Sequence, residues 1–232
     1  MKFTNELAYF IRKETRNKTN IKNYDLLNDD FVFEATFKLD LSQKVDYNEF
    51  CVVGRTGYNM GIYAQTDKNG GAAIKWCWWE LEHDLSMASK QLVVYKDIYM
   101  YPYDSNQKIK VKAVKEDSIF SLFINDNLFG FKEIGILYDY SDQTICVGVG
   151  NPYSESTPAN WFVGDIYDVK IYHDSVESYD NLYLWYDFER NSHFKTFDQS
   201  GNGNHGEIFN SPELVRMKNE EFNLVARPAK II

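Results

Sequence analysis

The stretch Phe31–Leu39 reads FVFEATFKL and decides the fold. Its odd-numbered residues are apolar, whereas Glu34, Thr36 and Lys38 are polar. Because successive side chains of a β-strand point to opposite faces, this alternation predicts a strand with one packed and one solvated face. Lys108–Val114 (KIKVKAV) alternates in the same way and places three lysines on one face.

Similar runs recur along the chain, separated by turn residues at intervals of roughly 8–15 residues. The other candidate strands are Phe50–Arg55, Met60–Gln65, Ala72–Glu82, Gln91–Tyr95, Ile119–Asn125, Leu128–Glu133, Gln143–Gly148, Phe162–Tyr172, Leu182–Phe188 and His205–Phe209. So many short strands in 232 residues predict one all-β domain, a sandwich of two antiparallel sheets. We expect residues 25–212 to form this domain, residues 1–24 an N-terminal extension, and residues 213–232 a C-terminal strand or linker.

Turn and helix patterns add local detail. Asn125–Asn127 separates two apolar runs, and Asp67–Gly71 (DKNGG) ends in a strong hairpin sequence. Thr4 is a candidate N-cap for a short helix over Asn5–Arg16, where apolar residues recur at helical spacing. We expect this helix to cover a sheet edge.

Composition limits the classes of function. Lys and Arg number 25 and Asp and Glu 34, so the net charge of −9 argues against a nucleic-acid partner. An aromatic content of 16% argues against disorder, and no apolar run reaches the roughly 18–20 residues needed to span a bilayer. No secretory signal is recognisable, so localisation stays open. Three cysteines without metal-ligand spacing (Cys51, Cys77 and Cys146) predict buried thiols and favour a reducing compartment or a place in a larger protein.

The C-terminal third carries an ordered set of motifs. Trp161–Tyr172 reads WFVGDIYDVKIY, Leu182–Glu189 reads LYLWYDFE, and Thr196–Gly206 reads TFDQSGNGNHG. In this order they resemble the end of laminin G-like domains of the concanavalin A-like lectin/glucanase superfamily. The resemblance implies a jelly-roll sandwich whose concave sheet carries a ligand site.

The Asp198–Asn204 turn is a candidate calcium site. Asp198, Asn202 and Asn204 offer the oxygen ligands that Ca²⁺ prefers, on a glycine-containing turn. The resemblance adds Asp165, which shares a strand face with Tyr167, the position where family members carry an aspartate near calcium. The alternative is that these side chains hydrogen-bond their own backbone and fix the turn.

The segment Trp76–Asp84 (WCWWELEHD) is the most unusual of the sequence. On a strand, one face would carry Trp76, Trp78, Glu80, Glu82 and Asp84. Indole rings stack on the C–H faces of sugars and carboxylates accept hydrogen bonds from hydroxyl groups, so this face predicts a glycan site. A purely structural or solvent-facing role is the alternative.

A glycoside hydrolase is a further reading of the same strand. Hydrolases of the superfamily place Glu-x-Asp-x-Glu on one strand face, and retaining chemistry needs two carboxyl groups about 5–5.5 Å apart. Here the order is Glu80, Glu82, Asp84, which exchanges the last two residue types and shortens the side chain of the proton donor.

Tyrosines form a second recognition candidate. Tyr95–Tyr103 (YKDIYMYPY) holds four tyrosines, of which Tyr99 and Tyr101 are the predicted contacts, and Arg55 is a candidate hydrogen-bond donor. A loop packed on the core would use the same residues.

The sequence therefore predicts non-catalytic carbohydrate binding by a lectin-like jelly roll, with a glycan or polysaccharide as partner and calcium as a candidate cofactor. The chain would serve as an accessory domain of a larger protein. A glycoside hydrolase using Glu80 and a protein–protein interaction or structural module are the alternatives.

Overall fold

The computed structural model describes residues 2–3, 8–10, 29–40, 49–55, 60–66, 72–83, 91–103, 107–137, 145–148, 162–188 and 195–209. Within these ranges every regular element is a β-strand, and all strand pairs are antiparallel. The prediction of an all-β protein with two antiparallel sheets is therefore confirmed, and the arrangement is that of a jelly-roll sandwich.

The first sheet has seven strands. These are β1 (Lys2–Phe3), β3 (Phe31–Leu39), β8 (Ile109–Glu116), β9 (Ile119–Ile124), β10 (Asn127–Glu133), β13 (Gly164–His173) and β14 (Leu182–Asp187). The strand order is β1-β13-β3-β8-β9-β10, and β14 pairs with β13.

The second sheet has nine strands. These are β2 (Ala8–Phe10), β4 (Glu49–Arg55), β5 (Met60–Thr66), β6 (Ala72–His83), β7 (Gln91–Tyr103), β11 (Ile136–Leu137), β12 (Ile145–Val147), β15 (Lys195–Thr196) and β16 (Gly206–Phe209). The order is β11-β6-β5-β4-β12-β2-β16-β15, and β7 pairs with β6.

The core lies between the inner faces of the two sheets. The predicted apolar face of β3 is buried, as are Ile109, Val111 and Ala113 on β8. Aromatic rings meet across the sandwich, with Phe33 on β3 5.5 Å from Trp76 on β6 between ring centroids. Burying a phenylalanine side chain contributes about 1.5–3 kcal/mol, so the phenylalanine content explains much of the stability of this sandwich.

Most predicted strands are confirmed, whereas the predicted N-terminal helix is wrong where the structure describes it. Ala8–Phe10 is a strand whose two edges pair with β12 and β16. Two ladders of backbone hydrogen bonds outweigh the weak local helix preference of this segment. Thr4–Leu7 and Ile11–Arg16 lie outside the described residues. Because β1 and β2 join different sheets, the N-terminal segment contributes to the sandwich, and the predicted domain limits stay a prediction.

Two predicted turns join paired strands. Asn125 and Asp126 have positive φ angles of 50° and 64°, and Ile124 pairs with Asn127, as a tight two-residue hairpin requires. Thr66 pairs with Ala72, so β5 and β6 form the predicted hairpin, although its turn lies outside the described residues.

The three cysteines are buried thiols outside any disulfide bond, as predicted. In the described part of the chain, no helix is long and apolar enough to cross a membrane.

Candidate functional site

The predicted glycan face on β6 is wrong for its two indoles. Trp76 and Trp78 have no exposed surface and point into the sandwich. The ring centroid of Phe120 lies 5.5 Å from that of Trp76 and 4.6 Å from that of Trp78. The alternation on β6 was interpreted with the faces exchanged, because an aromatic–carboxylate pattern does not tell which strand face meets the other sheet.

Glu80 follows the two indoles on the same inner face. It is 6% exposed, and the indole Nε1–H of Trp78 donates a 2.6 Å hydrogen bond to its Oε1. Gly135 keeps this place open, since a Cβ there would lie 3.1 Å from the Glu80 Oε2 atom. A carboxylate so enclosed does not resemble the accessible acid or nucleophile of a glycosidase.

The remaining predicted ligand residues lie outside what the structure describes. This holds for Asp84 and for the side chains of Glu82, Arg55, Tyr99 and Tyr101. Their backbones, except that of Asp84, belong to β4, β6 and β7, so the tyrosine-rich segment is a strand and not a loop.

The outward face of the same strands is also buried near its centre. Cys51, Tyr63 and Cys77 form a separate buried cluster there. The Tyr63 ring lies over a glycine pair: a Cβ on Gly61 would be 2.7 Å from Tyr63 Cε2, and one on Gly54 would be 3.5 Å from Tyr63 Oη. Burial, reinforced by the neighbouring thiols, raises the pKa of the Tyr63 phenol. These groups therefore stay neutral and behave as packing residues.

The predicted calcium ligand Asp198 is fully engaged with protein donors. Its Oδ1 accepts hydrogen bonds from the backbone N–H groups of Trp185 (3.0 Å) and Ser200 (2.9 Å). Its Oδ2 accepts from the Ser200 hydroxyl (2.7 Å) and the Asn204 N–H (3.0 Å). A carboxylate has about four acceptor positions, so none is left for a cation.

The two asparagines of this turn direct their amides at the edge of β14. Asn202 Nδ2 donates to the carbonyl oxygens of Leu182 (2.8 Å) and Tyr183 (3.1 Å), and Asn204 Nδ2 donates to Tyr183 (2.9 Å). The geometry therefore favours the alternative of turn chemistry for Asp198 and Asn202, whereas Asn204 Oδ1 has no hydrogen-bond partner among the described residues.

Asp165, the fourth candidate, lies on β13 opposite Lys38 of β3. It is separated from the turn by the bulge between Ile166 and Asp168. In the described residues, no group of three or more histidine, cysteine or acidic side chains is placed to hold a metal ion. Calcium binding by this chain stays an untested prediction from sequence.

A different surface brings together aromatic and charged groups: the outer face of the seven-stranded sheet. Strand register aligns one residue from each of six strands, β14, β13, β3, β8, β9 and β10. We call this the transverse row: Trp185, Lys170, Glu34, Lys112, Phe123 and Leu128. At a strand spacing of about 4.8 Å, Trp185 and Phe123 lie about 19 Å apart.

Charges in the middle of the transverse row are paired. Glu34 is 3% exposed, and its Oε1 accepts a 2.9 Å hydrogen bond from Lys170 Nζ, which is also 3.3 Å from Asp168 Oδ2. Lys110 lies 3.7 Å from Glu34 and 2.5 Å from Asp126, and Lys112 pairs with Glu177.

The pKa values follow from this pairing. Burial lowers the pKa of Lys170, but the hydrogen bond to Glu34 and the charge of Asp168 outweigh it and raise the value. The hydrogen bond to Asp126 raises the pKa of Lys110 and lowers that of Asp126. Lys170, Lys110 and Asp126 are therefore charged at neutral pH.

Each end of the transverse row combines a cation with an aromatic ring. Lys170 Nζ lies 5.8 Å from the ring centroid of Trp185, and Lys112 Nζ lies 4.9 Å from that of Phe123. Such cation–π contacts hold the rings in place. The rings themselves are partly exposed.

Beside the transverse row, the outer face is covered by a loop. Val32, Tyr172 and Leu182 form a small buried cluster there, with Val114 and Trp185 packed against it. Residues 174–181 connect β13 to β14 and contact β8 through Ser175–Glu116 and Glu177–Lys112. The loop of residues 174–181 therefore lies along one side of the outer face.

Two polar atoms near Trp185 lack a hydrogen-bond partner in the part of the chain described. They are the Trp185 indole Nε1, a donor, and Asp168 Oδ1, an acceptor. Lys170 lies between them, opposite Trp185 on β14 and two residues beyond Asp168. Buried polar groups are nearly always satisfied in folded proteins, and both atoms are enclosed, so an internal water is the partner that fits them as the structure stands.

Sequence reasoning missed this face. The lysines of Lys108–Val114 and the polar residues of β3 were predicted to form a solvated face, which is wrong for Glu34, since it is only 3% exposed. Only strand register shows that Glu34 and Lys170, distant in sequence, are neighbours. Trp185 lay within a recognised motif, yet its side chain could not be assigned to a face.

Comparisons with known proteins place the fold. No protein-family model matches the chain, and no curated protein sequence matches it. The structure is similar to a "putative carbohydrate binding protein" from Bacteroides ovatus, with a TM-score of 0.57 and 13% identity over 89% of this chain. This chain covers 56% of that protein, about half its length. The likeness shows a lectin-like sandwich fold.

Two more distant similarities involve other proteins with TM-scores below 0.5. A heptameric SAP-like pentraxin from Limulus polyphemus has a TM-score of 0.42 and 10% identity, over 75% of this chain and 78% of the pentraxin. The binding domain of botulinum neurotoxin DC in complex with SialylT has a TM-score of 0.41 and 12% identity, over 68% and 36%. Membership of the laminin G-like family stays a prediction from the sequence motifs.

Proposed function

We propose that this chain is a non-catalytic carbohydrate-binding domain that takes its glycan on the outer face of the seven-stranded sheet. The observation that carries the proposal is the end of the transverse row at Trp185. There a partly exposed aromatic ring, an ammonium group and a carboxylate lie side by side.

Each of these groups has a task in sugar recognition. The partly exposed indole of Trp185 offers an apolar surface for the C–H face of a pyranose ring. Its Nε1–H, a donor, and Asp168 Oδ1, an acceptor, are enclosed in this structure, so sugar hydroxyl groups would reach them only after the neighbouring side chains move. Lys170 is held by Glu34 and Asp168, so it can hydrogen-bond a sugar without first losing much rotational freedom.

Binding would be tested with the full chain on a glycan panel, followed by calorimetry with the glycan that binds best. We expect Trp185→Ala to weaken binding at least tenfold. Trp185→Phe should retain part of the affinity, because it keeps an aromatic ring but removes the N–H donor. Phe197→Ala is the matched control, since Phe197 is an exposed aromatic residue that follows β15 of the other sheet and contacts the ring of His205.

Trp185 also provides a direct signal. The chain has four other tryptophans, so the signal is assigned by difference: a glycan-dependent change in fluorescence that disappears in Trp185→Phe would locate the ligand. Wild-type affinity in both Trp185→Ala and Asp168→Asn would refute this placement. Absence of binding to every glycan of the panel would refute carbohydrate binding for the glycans tested.

The proposal includes an accessory role within a larger protein. The hydrolase alternative receives no support from Glu80, whose carboxylate is enclosed and bonded to Trp78. Polysaccharide cleavage that Glu80→Gln abolishes would nevertheless revive that alternative.

A further inference from the structure

The two edges of the seven-stranded sheet differ in the described part of the chain. At the β14 edge, the 198–204 turn occupies the backbone: Asp198 accepts from Trp185 N–H, and Gln199 N–H donates to the Trp185 carbonyl at 2.8 Å. At the opposite edge, β10 is the last strand. An edge strand presents unpaired backbone groups that another strand can join.

Apolar side chains are exposed along this free edge. They lie on β10, beside it on β9 and just after it on β11: Leu128 (55% exposed), Phe129 (47%), Phe131 (66%), Ile119 (43%) and Ile136 (59%). At roughly 200 Å² for a fully exposed large side chain, these exposures amount to about 500 Å² of apolar surface. We call this surface the β10 patch.

The β10 patch has the area that a dimer requires. A standard interface buries about 800 Å² on each partner, of which roughly 60% is apolar. The apolar share is therefore about 500 Å², the size of the β10 patch.

We propose that the β10 patch binds a second copy of this chain, through antiparallel pairing of β10 with β10 of the copy. The two-fold axis would pass through Phe131, perpendicular to the sheet. Each strand would then supply the backbone partners that the other lacks, and the seven-stranded sheets would join into one continuous sheet.

Charge disfavours one neighbouring register. With Phe131 opposite its counterpart, Lys132 faces Gly130 and Glu133 faces Phe129. A shift that centres the axis on Lys132 would place two lysines directly opposite each other, which is destabilising. The pair of Phe131 rings would lie side by side on the outer face, where aromatic contacts add to the burial of area.

The arrangement has a consequence for ligand binding, and this consequence alone rests on the proposed function. A two-fold axis perpendicular to the sheet leaves both outer faces on the same side. The dimer would present two Trp185 sites to one surface, and a repeating glycan could engage both with increased avidity.

The test measures the mass of the full chain over a range of concentrations, by light scattering after size exclusion and by sedimentation equilibrium. We expect a mass that rises from 27.2 kDa toward twice that value. Phe131→Glu should weaken dimerisation at least 100-fold, because each copy loses a central ring and gains a charge opposite its own. Tyr179→Glu is the matched control, since Tyr179 is 69% exposed on another surface.

Thermal unfolding at low protein concentration shows whether the variant monomer still folds, so that a lost dimer is not mistaken for a lost fold. Phe131 is largely exposed, so Phe131→Glu should leave the monomer melting temperature within about 2 °C. A wild-type mass that stays monomeric at all concentrations would overturn the proposal. So would a dimer that persists in Phe131→Glu or dissociates equally in Tyr179→Glu.

Register is tested by cross-linking. Phe131→Cys should form a disulfide-linked dimer under mild oxidation, whereas Tyr179→Cys should not. A dimer that forms without this cross-link would overturn the register stated here.

Discussion

Replacement of Asp198 by alanine tests the conclusion that the 198–204 turn protects a sheet edge. The Asp198 side chain is 7% exposed and accepts four hydrogen bonds, three of them from backbone N–H groups. The substitution removes both carboxylate oxygens at once. The N–H groups of Trp185, Ser200 and Asn204 then lose their acceptor, and two of them are buried.

The expected loss follows from these contacts. A buried donor left without an acceptor costs about 1–3 kcal/mol, and bonds to a charged acceptor lie at the upper end. A water molecule can replace the lost acceptor at the partly buried Trp185 N–H, which reduces the summed cost of the unpaired N–H groups. We expect Asp198→Ala to lower the free energy of unfolding by about 4 kcal/mol, which for a chain of this size lowers the melting temperature by about 10 °C.

Urea and thermal unfolding of three variants separate the contributions. Asp198→Asn keeps one acceptor oxygen and should lower the free energy of unfolding by about 2 kcal/mol. Asp180→Asn is the control, since Asp180 is an exposed aspartate in a neighbouring turn. A change of less than about 2 °C in Asp198→Ala would contradict the edge-cap reasoning.

The same experiment addresses calcium. Because the Asp198 oxygens are occupied by protein donors, millimolar Ca²⁺ or a chelator should leave the wild-type melting temperature unchanged. A rise with Ca²⁺ that disappears in Asp198→Ala would show that the turn reorganises around the ion, and the hydrogen-bond assignment would then be wrong.

The three remaining perturbations concern the outer face, the glycine pair and a buried phenol. Glu34→Ala leaves Lys110 and Lys170 without their shared carboxylate. Because both lysines are partly exposed, we expect urea unfolding to show a free energy of unfolding lower by about 2 kcal/mol, and lower by about 1 kcal/mol for Glu34→Gln. Gly61→Ala would place a Cβ 2.7 Å from the Tyr63 ring and should lower the free energy of unfolding by about 3 kcal/mol. At Gly203 a Cβ meets no atom within 4 Å, so Gly203→Ala should lower it by only about 1 kcal/mol, because of the positive φ. Burial raises the pKa of Tyr172 to about 12, so the stability that its neutral phenol contributes is complete below pH 10 and falls as pH rises toward 12. Urea midpoints at several alkaline pH values should therefore decline less in Tyr172→Phe than in wild type.

Much of the fold could be predicted from single strands. Alternation on Phe31–Leu39 determines which residues face the core, and the Asn-Asp turn at 125–126 determines the β9–β10 hairpin. The short strands β1, β2, β11 and β15 were missed, because two or three residues carry too little periodicity. Their strand conformation depends on partners that are distant in sequence.

The candidate site was harder to predict, because alternation gives two faces without saying which one is inside. On β6 the predicted ligand face became the core. On β13 a bulge lies between Ile166 and Asp168, so Asp165 and Asp168 both point outward although they are three positions apart, an odd number. A sequence pattern cannot reveal this change of phase, and the pairing of Lys170 with Glu34 depends on it.

The motif that most strongly suggested a ligand site has a structural task instead. Asp198, Ser200, Asn202 and Asn204 direct their polar atoms at backbone groups between Leu182 and Trp185, which occupies the outer edge of β14. Capping that edge holds the strand that carries Trp185 and keeps it from pairing with other chains. The oxygen-rich turn therefore affects binding indirectly: it fixes the position of the indole, and it leaves β10 as the edge through which the sheet can extend.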